Sequence, residues 1–218
     1  MPRRPFDLSV YLVTDPVLCA ARGVAETVQR AVAGGATMVQ LRDPDAPTEA
    51  LVAAARAIRA QLSGAGIALI INDNVEVALA AGADGVHLGQ DDMDAGNARA
   101  RLGPDAILGL SVGNLAELAA SRAALPHIDY LGTGPFRATG TKANAGAAIG
   151  EAGLRAVRRA VGLPIVAIGG MAADNAAAAI RAGADGVAVV SAICGAEDPA
   201  AAAREIAAAV AAARAAGT

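Results

Sequence analysis

The chain has 218 residues, 55% of them hydrophobic, with a formal net charge of −3 and a sequence pI near 5.4. That length suits one domain over residues 1–218, and no uncharged apolar stretch reaches the roughly 18 residues of a transmembrane helix, so no membrane partner is expected. No basic block stands out and aromatics are only 2%, which argues against nucleic acid and leaves a flat ligand to be held by hydrogen bonds rather than by an aromatic cage.

The start, MPRRPFDLSVYLVTD, has no apolar h-region or small-residue cleavage site and does not read as a secretory signal. Cys19 and Cys194 make neither a disulfide framework nor a metal cluster, and a reducing cytoplasm is the expected compartment.

Eight apolar, β-rich runs follow at even spacing: Val10–Thr14, Met38–Leu41, Ala68–Asn72, Gly85–Leu88, Ile107–Val112, Tyr130–Gly134, Ile165–Ile168 and Gly186–Ser191. They are continuous rather than alternating, the pattern of strands buried on both faces. Between them the pattern predicts helices over Val24–Ala33, Thr48–Leu62, Val75–Ala81, Ala95–Leu102, Leu115–Leu125, Glu151–Val161, Asn175–Ala182 and Pro199–Ala216. Many of these close on glycine, as helix ends favour. AGADGVHLG at Ala81–Gly89 recurs as AGADGVAVV at Ala182–Val190, and Asp73-Asn74 falls on Asp174-Asn175 at the same offset of 101 residues. At about 25 residues per strand–helix unit that offset is half of an eight-unit barrel. The expected fold class is therefore α/β, a single eight-stranded TIM barrel.

In such a barrel the carboxyl ends of the strands share one edge and carry the functional loops. Strand one ends in Thr14-Asp15-Pro16, a turn sequence. Strand two ends in Gln40-Leu41-Arg42, which points Gln40 and Arg42 the same way. An arginine there suits a phosphate or carboxylate ligand; a salt bridge to a neighbouring acid is the alternative.

Strands three and four end in Asn72-Asp73-Asn74 and Gly89-Gln90-Asp91-Asp92. Asp73 could be a helix cap, as expected for Asp174. With Asp92 it forms a hard-oxygen pair suited to magnesium, with Asp91 as an alternative ligand. His87, mid-strand, reads as an interior polar residue, and His127 as structural, at the wrong end of the barrel.

Strand five ends at Ser111. Strand six opens into GTGPFRATGTKANAG, Gly132–Gly146, with Thr139, Thr141 and Lys142. Its glycines Gly134 and Gly140 stand six positions apart, not five as in a P-loop, so a lid over an anion is expected. Strands seven and eight end in Gly169-Gly170 and Val190-Ser191, where such barrels hold a phosphate. Two phosphorylated substrates meeting in one mouth, with magnesium, is the resulting expectation.

Several of these segments resemble thiamine phosphate synthase: YLVTD at Tyr11–Asp15, VQLRD at Val39–Asp43, IINDN at Ile70–Asn74, GVHLGQDDM at Gly85–Met93, TGTK at Thr139–Lys142 and AIGGM at Ala167–Met171. The resemblance implies a transferase that joins hydroxymethylpyrimidine diphosphate to hydroxyethylthiazole phosphate, releasing pyrophosphate and forming thiamine phosphate through a dissociative step. By matching motif it places Gln40, Arg42, Asn72, Ser111 and Lys142 on the pyrimidine diphosphate, with Arg42, Ser111 and Lys142 in the catalytic role. It places Asp73 and Asp92 on magnesium, and Thr139, Thr141, Gly169, Gly170, Val190 and Ser191 around the thiazole phosphate. One position departs. The family often reads QLREK, and here Asp43 and Pro44 replace the acid and the lysine. A thiazole tautomerase-like isomerase of the same barrel, and a non-catalytic binding protein for thiamine precursors, are the alternatives. Oligomeric state is left open, with a homo-oligomer allowed.

Overall fold

The computed structural model describes residues 5–140 and 146–217. Eight parallel strands close into a barrel in sequence order: β1 (Val10–Val13), β2 (Met38–Leu41), β3 (Ala68–Asn72), β4 (Gly85–Leu88), β5 (Ile107–Ser111), β6 (Tyr130–Thr133), β7 (Ile165–Ile168) and β8 (Gly186–Val189). β8 pairs back onto β1, Val10 opposite Val187, so no strand edge is left open. The helices α1 (Val24–Ala33), α2 (Thr48–Leu62), α3 (Val75–Ala81), α4 (Ala95–Leu102), α5 (Leu115–Ala120), α6 (Gly150–Ala160), α7 (Ala173–Arg181), α8 (Ser191–Cys194) and α9 (Pro199–Ala216) lie between and after the strands.

The expected closed barrel is thus present, and the continuous apolar runs have their physical cause in two separate cores. Alternate residues such as Leu12, Val39, Leu69, Leu108 and Val187 pack outward under the helices. Their neighbours Tyr11, Met38, Ile70, Ile107, Tyr130, Val166 and Ala188 fill the lumen. A strand with apolar neighbours on both faces cannot show polar alternation.

The repeated AGADG segments serve the bottom of the barrel. Asp84, just before β4, accepts from the Leu69 amide at 2.8 Å, and Asp185, just before β8, accepts from the Ile165 amide at 2.7 Å. Asp129, before β6, does the same for Leu108 at 2.7 Å. Thr37, before β2, receives the Val10 amide on its hydroxyl at 3.0 Å. Each even-numbered strand therefore clamps the start of the odd-numbered strand before it, satisfying an amide that the ladder leaves over.

Three expectations are corrected. The helix predicted over Leu115–Leu125 stops at Ala120 and continues as two short 3-10 turns, Ser121–Ala123 and Leu125–His127. The Ser121 hydroxyl turns to the Gln90 side chain, 3.3 Å away, and Pro126 disfavours helix at the residue before it. The four-residue α8, too short to show a period, follows β8 directly. Asp174 is not the cap of α7: Ala172 stands at that position, and the Asp174 carboxylate pairs with Arg137 at 2.8 Å. Cys19 and Cys194 are free and buried.

Candidate active site

A cavity of about 700 Å³ opens at the carboxyl ends of the strands. Gln40, Arg42, Asn72 and Ser111 line it along the β2–β5 arc, and Gly169, Gly170, Val190 and Ser191 line it along the β7–β8 arc. Thr139 lies on its wall where the strand-six loop departs. All of these were singled out in the sequence. Thr141 and Lys142 lie outside the described residues.

Local hydrogen bonds explain how the strand ends present these groups. Thr14 extends the β1–β2 pairing: its amide donates to the Gln40 carbonyl at 2.9 Å, and its buried hydroxyl accepts the Arg42 amide at 2.9 Å. Arg42, half-buried, has Asp15 at 4.0 Å, and Asp15 itself accepts from the amides of Val17 and Leu18 at 3.0 Å each. The turn expected at Asp15 is therefore real, and its carboxylate also faces the arginine. Pro44 is exposed in the turn after β2.

The acids after β3 and β4 sit at the same mouth. Asp73 has φ 60°, a left-handed backbone uncommon for a residue with a side chain, and its amide donates to the His87 carbonyl at 2.8 Å. Its carboxylate receives the Asn72 amide group at 2.5 Å. Asn74, not Asp73, caps α3 by accepting the Val77 amide at 3.0 Å. Asp92 accepts the Gly89 amide at 2.7 Å. Both acids are exposed, and it is Asp91 that lies on the cavity wall. Among the described residues, no three His, Cys, Asp or Glu side chains gather as a metal cluster.

On the opposite arc, Gly169 and Gly170 have φ of 89° and 64°, open to glycine at little cost. Buried Asn175 braces them, donating to the Gly170 carbonyl at 2.7 Å and accepting the Ala172 amide at 2.9 Å. The base of the strand-six loop is stitched to them, with the Phe136 amide on the Ile168 carbonyl at 2.7 Å and the Arg137 amide on the Gly169 carbonyl at 3.0 Å. The Arg137–Asp174 pair adds a side-chain tie between the same two loops.

The floor is polar. His87 and Tyr11 line it, with Tyr130 buried beneath. Burial pushes both phenols above their ordinary pKa, which outweighs the hydrogen bonds to Tyr11 that act the other way. His87 is the interior polar residue expected of it. His127 lies before β6 at the far end, its carbonyl taken by Arg99 at 2.9 Å.

A profile of the family described as thiamine monophosphate synthase matches residues 10–193. The chain belongs to that family. It is 65% identical to the thiamine-phosphate synthase of Xanthobacter autotrophicus, over 98% of this chain and 100% of that protein. It is 59% identical to that of Azorhizobium caulinodans, over 93% and 94%. Among solved structures, the thiamine phosphate pyrophosphorylase from Pyrococcus furiosus superposes with a TM-score of 0.85 at 37% identity, covering 94% of this chain and 96% of that one. A 3-hexulose-6-phosphate synthase, 20% identical with a TM-score of 0.67, shares the fold.

In this member of the thiamine monophosphate synthase family, Gln90 and Glu117 are among the wall residues to which sequence reasoning assigned no role. Gln90 donates to the Ser111 carbonyl at 2.6 Å. Glu117 accepts the Gly113 amide at 2.7 Å while Asn114 caps α5 through the amides of Ala116 and Glu117. The Asn114-to-Glu117 spacing was the available signal, a capping pattern at a helix start.

Proposed function

We propose that this chain is the transferase of thiamine biosynthesis, joining hydroxymethylpyrimidine diphosphate to hydroxyethylthiazole phosphate. The observation that carries the reading is one cavity with two different anion-suited arcs. Arg42, Gln40, Asn72 and Ser111 stand on one, and the open backbone at Gly169, Gly170, Val190 and Ser191 on the other. The first arc takes the pyrimidine diphosphate, with Lys142 as a further cation, and the second takes the thiazole phosphate with Thr139 and Thr141.

Asp73 and Asp92 fit magnesium. They are hard oxygen donors on adjoining strand ends, Asn72 being paired with His87 across the ladder, and magnesium takes few protein oxygens beside water and phosphate. Held by Asp73 and Asp92, the ion would supply positive charge against that of the diphosphate. Asp91, on the cavity wall, is an additional oxygen donor.

The carbon–oxygen bond between the pyrimidine methylene and the diphosphate breaks, and pyrophosphate leaves with the electron pair. The thiazole nitrogen lone pair then forms the new carbon–nitrogen bond. Arg42 and Lys142 stabilise charge that grows on the leaving group, and positioning of the two substrates in one mouth does the rest, so no general base is needed. Bound substrates exclude water from the cation between the two events. The chemistry involves small molecules in water, and among the described residues no helix is long and apolar enough to cross a membrane.

The deciding experiment mixes both substrates with magnesium and follows thiamine phosphate and pyrophosphate together. Equimolar appearance of both supports the reading. Thiazole isomerisation alone, or binding without turnover, overturns it.

A further inference from the structure

Five side chains from five strands join end to end under the cavity. Gln40 Nε2 donates to the Tyr11 hydroxyl at 2.7 Å, and the Tyr11 and Tyr130 hydroxyl oxygens lie 2.9 Å apart. The Tyr130 hydroxyl is 3.0 Å from His87 Nδ1, and His87 Nε2 is 2.9 Å from Ser111 Oγ.

The hydrogens in this chain can be counted. Both phenols are buried and stay protonated, so each must place one hydrogen. The Tyr11 oxygen already accepts from Gln40, so its own hydrogen goes to the Tyr130 oxygen. Tyr130 in turn donates to His87 Nδ1. A neutral imidazole that accepts at Nδ1 carries its hydrogen on Nε2, and that hydrogen goes to Ser111 Oγ. The Ser111 hydroxyl hydrogen is then left to point into the cavity that Ser111 lines. With Gln40 Nε2 facing the Tyr11 hydroxyl, the reverse order would aim two hydrogens at each other and orphan a buried donor; the reverse order requires the amide turned over, with its oxygen toward Tyr11.

The packing holds the rings in place. A Cβ on Gly109 would lie 2.4 Å from His87 Nδ1 and 2.3 Å from Tyr130 Cζ, and one on Gly132 would lie 2.9 Å from His87 Cε1. Two side chains are missing from β5 and β6 where these rings sit.

We propose that Tyr130 and His87 are positioning residues for Ser111: the chain headed by the Gln40 amide holds His87 as its Nε2–H tautomer and turns the Ser111 hydroxyl into a hydrogen-bond donor toward the pyrimidine substrate. The functional part rests on Ser111 contacting the pyrimidine diphosphate.

The test begins with the tautomer, which needs no turnover. The chain has only two histidines, so 15N-histidine labelling and a long-range 1H–15N correlation resolve both, with His127→Gln assigning them. Wild type shows the His87 hydrogen on Nε2. Gln40→Glu places an acceptor at the head of the chain, reverses it and puts a hydrogen on His87 Nδ1. A wild-type hydrogen on Nδ1, or a Gln40→Glu spectrum unchanged from wild type, overturns the relay.

Kinetics then test its use. Tyr130→Phe lowers kcat/KM for the pyrimidine diphosphate by about tenfold, the scale of one misdirected hydrogen bond, and leaves KM for the thiazole phosphate unchanged. His87→Gln, which retains a donor near Ser111, keeps more activity than His87→Leu. Equal losses on both substrates, or His87→Gln no better than His87→Leu, leave the residues merely structural and overturn the positioning role. If wild type forms no thiamine phosphate, the proposed function fails, and the tautomer result still decides the relay.

Discussion

Replacing Asp129 by alanine should destabilise the barrel without touching its chemistry. The Asp129 side chain is 4% exposed and accepts from the Leu108 amide at 2.7 Å and from Arg99 Nη2 at 2.6 Å. Its removal orphans the amide of a fully buried residue, worth about 1–3 kcal/mol, together with a charge-assisted bond of similar scale. Arg99 is not stranded, because it also donates to the carbonyls of Gly103, Pro104, Ala106 and His127. The loss should therefore stay at or below the roughly 3–5 kcal/mol of a broken buried pair, about 3 kcal/mol. For a chain of this size that lowers Tm by roughly 6–12 °C. Asp185→Ala supplies the comparison. Asp185 makes the same clamp on Ile165, but its side chain is 50% exposed, so water can take over part of the role and its loss should be about half as large. Calorimetric melts of both variants, with KM measured for both substrates, form the assay. A fall in Tm below about 3 °C for Asp129→Ala, or lost activity in a variant with unchanged Tm, would refute the clamp.

Three further outcomes are expected. Asp92→Asn keeps an oxygen for the Gly89 amide that Asp92 now accepts at 2.7 Å, so it should fold normally yet lose thiamine phosphate formation by about a hundredfold or more, with only partial rescue by added magnesium; equal wild-type rates with magnesium and with chelator would end the metal reading. Arg137→Ala removes an exposed pair with Asp174, with side chains 51% and 65% accessible, so stability should fall by under about 1 kcal/mol; the KM for the thiazole phosphate should rise several-fold, and a rise confined to the pyrimidine diphosphate would contradict the loop tie. Pro44→Lys should tighten the diphosphate by about 1 kcal/mol in a titration; no change would mean that a lysine on this exposed turn does not reach the ligand, since Arg137 is already engaged by Asp174.

The barrel was legible in the sequence because its causes are local. Burial on both faces yields continuous apolar runs, helix periods and closing glycines mark the connectors, and parallel topology brings the strand-end residues Gln40, Arg42, Asn72 and Ser111 to one edge, while the family resemblance supplied their roles. The repeat at AGADG revealed the half-barrel symmetry, but not that Asp84 and Asp185 clamp neighbouring strands, since their partners Leu69 and Ile165 lie 15 and 20 positions back. Tertiary structure decided what depends on distant partners or on a single backbone angle. Asp91, rather than Asp73 or Asp92, lies on the cavity wall, and Asp73 takes a left-handed backbone, φ 60°, that its residue type does not announce. Asp174 became the partner of Arg137, 37 positions away, instead of a cap. Tyr11 and Tyr130, 119 positions apart, carry no sequence signal that they meet. Only closure of the barrel placed their buried hydroxyls in contact, 2.9 Å apart in the lumen.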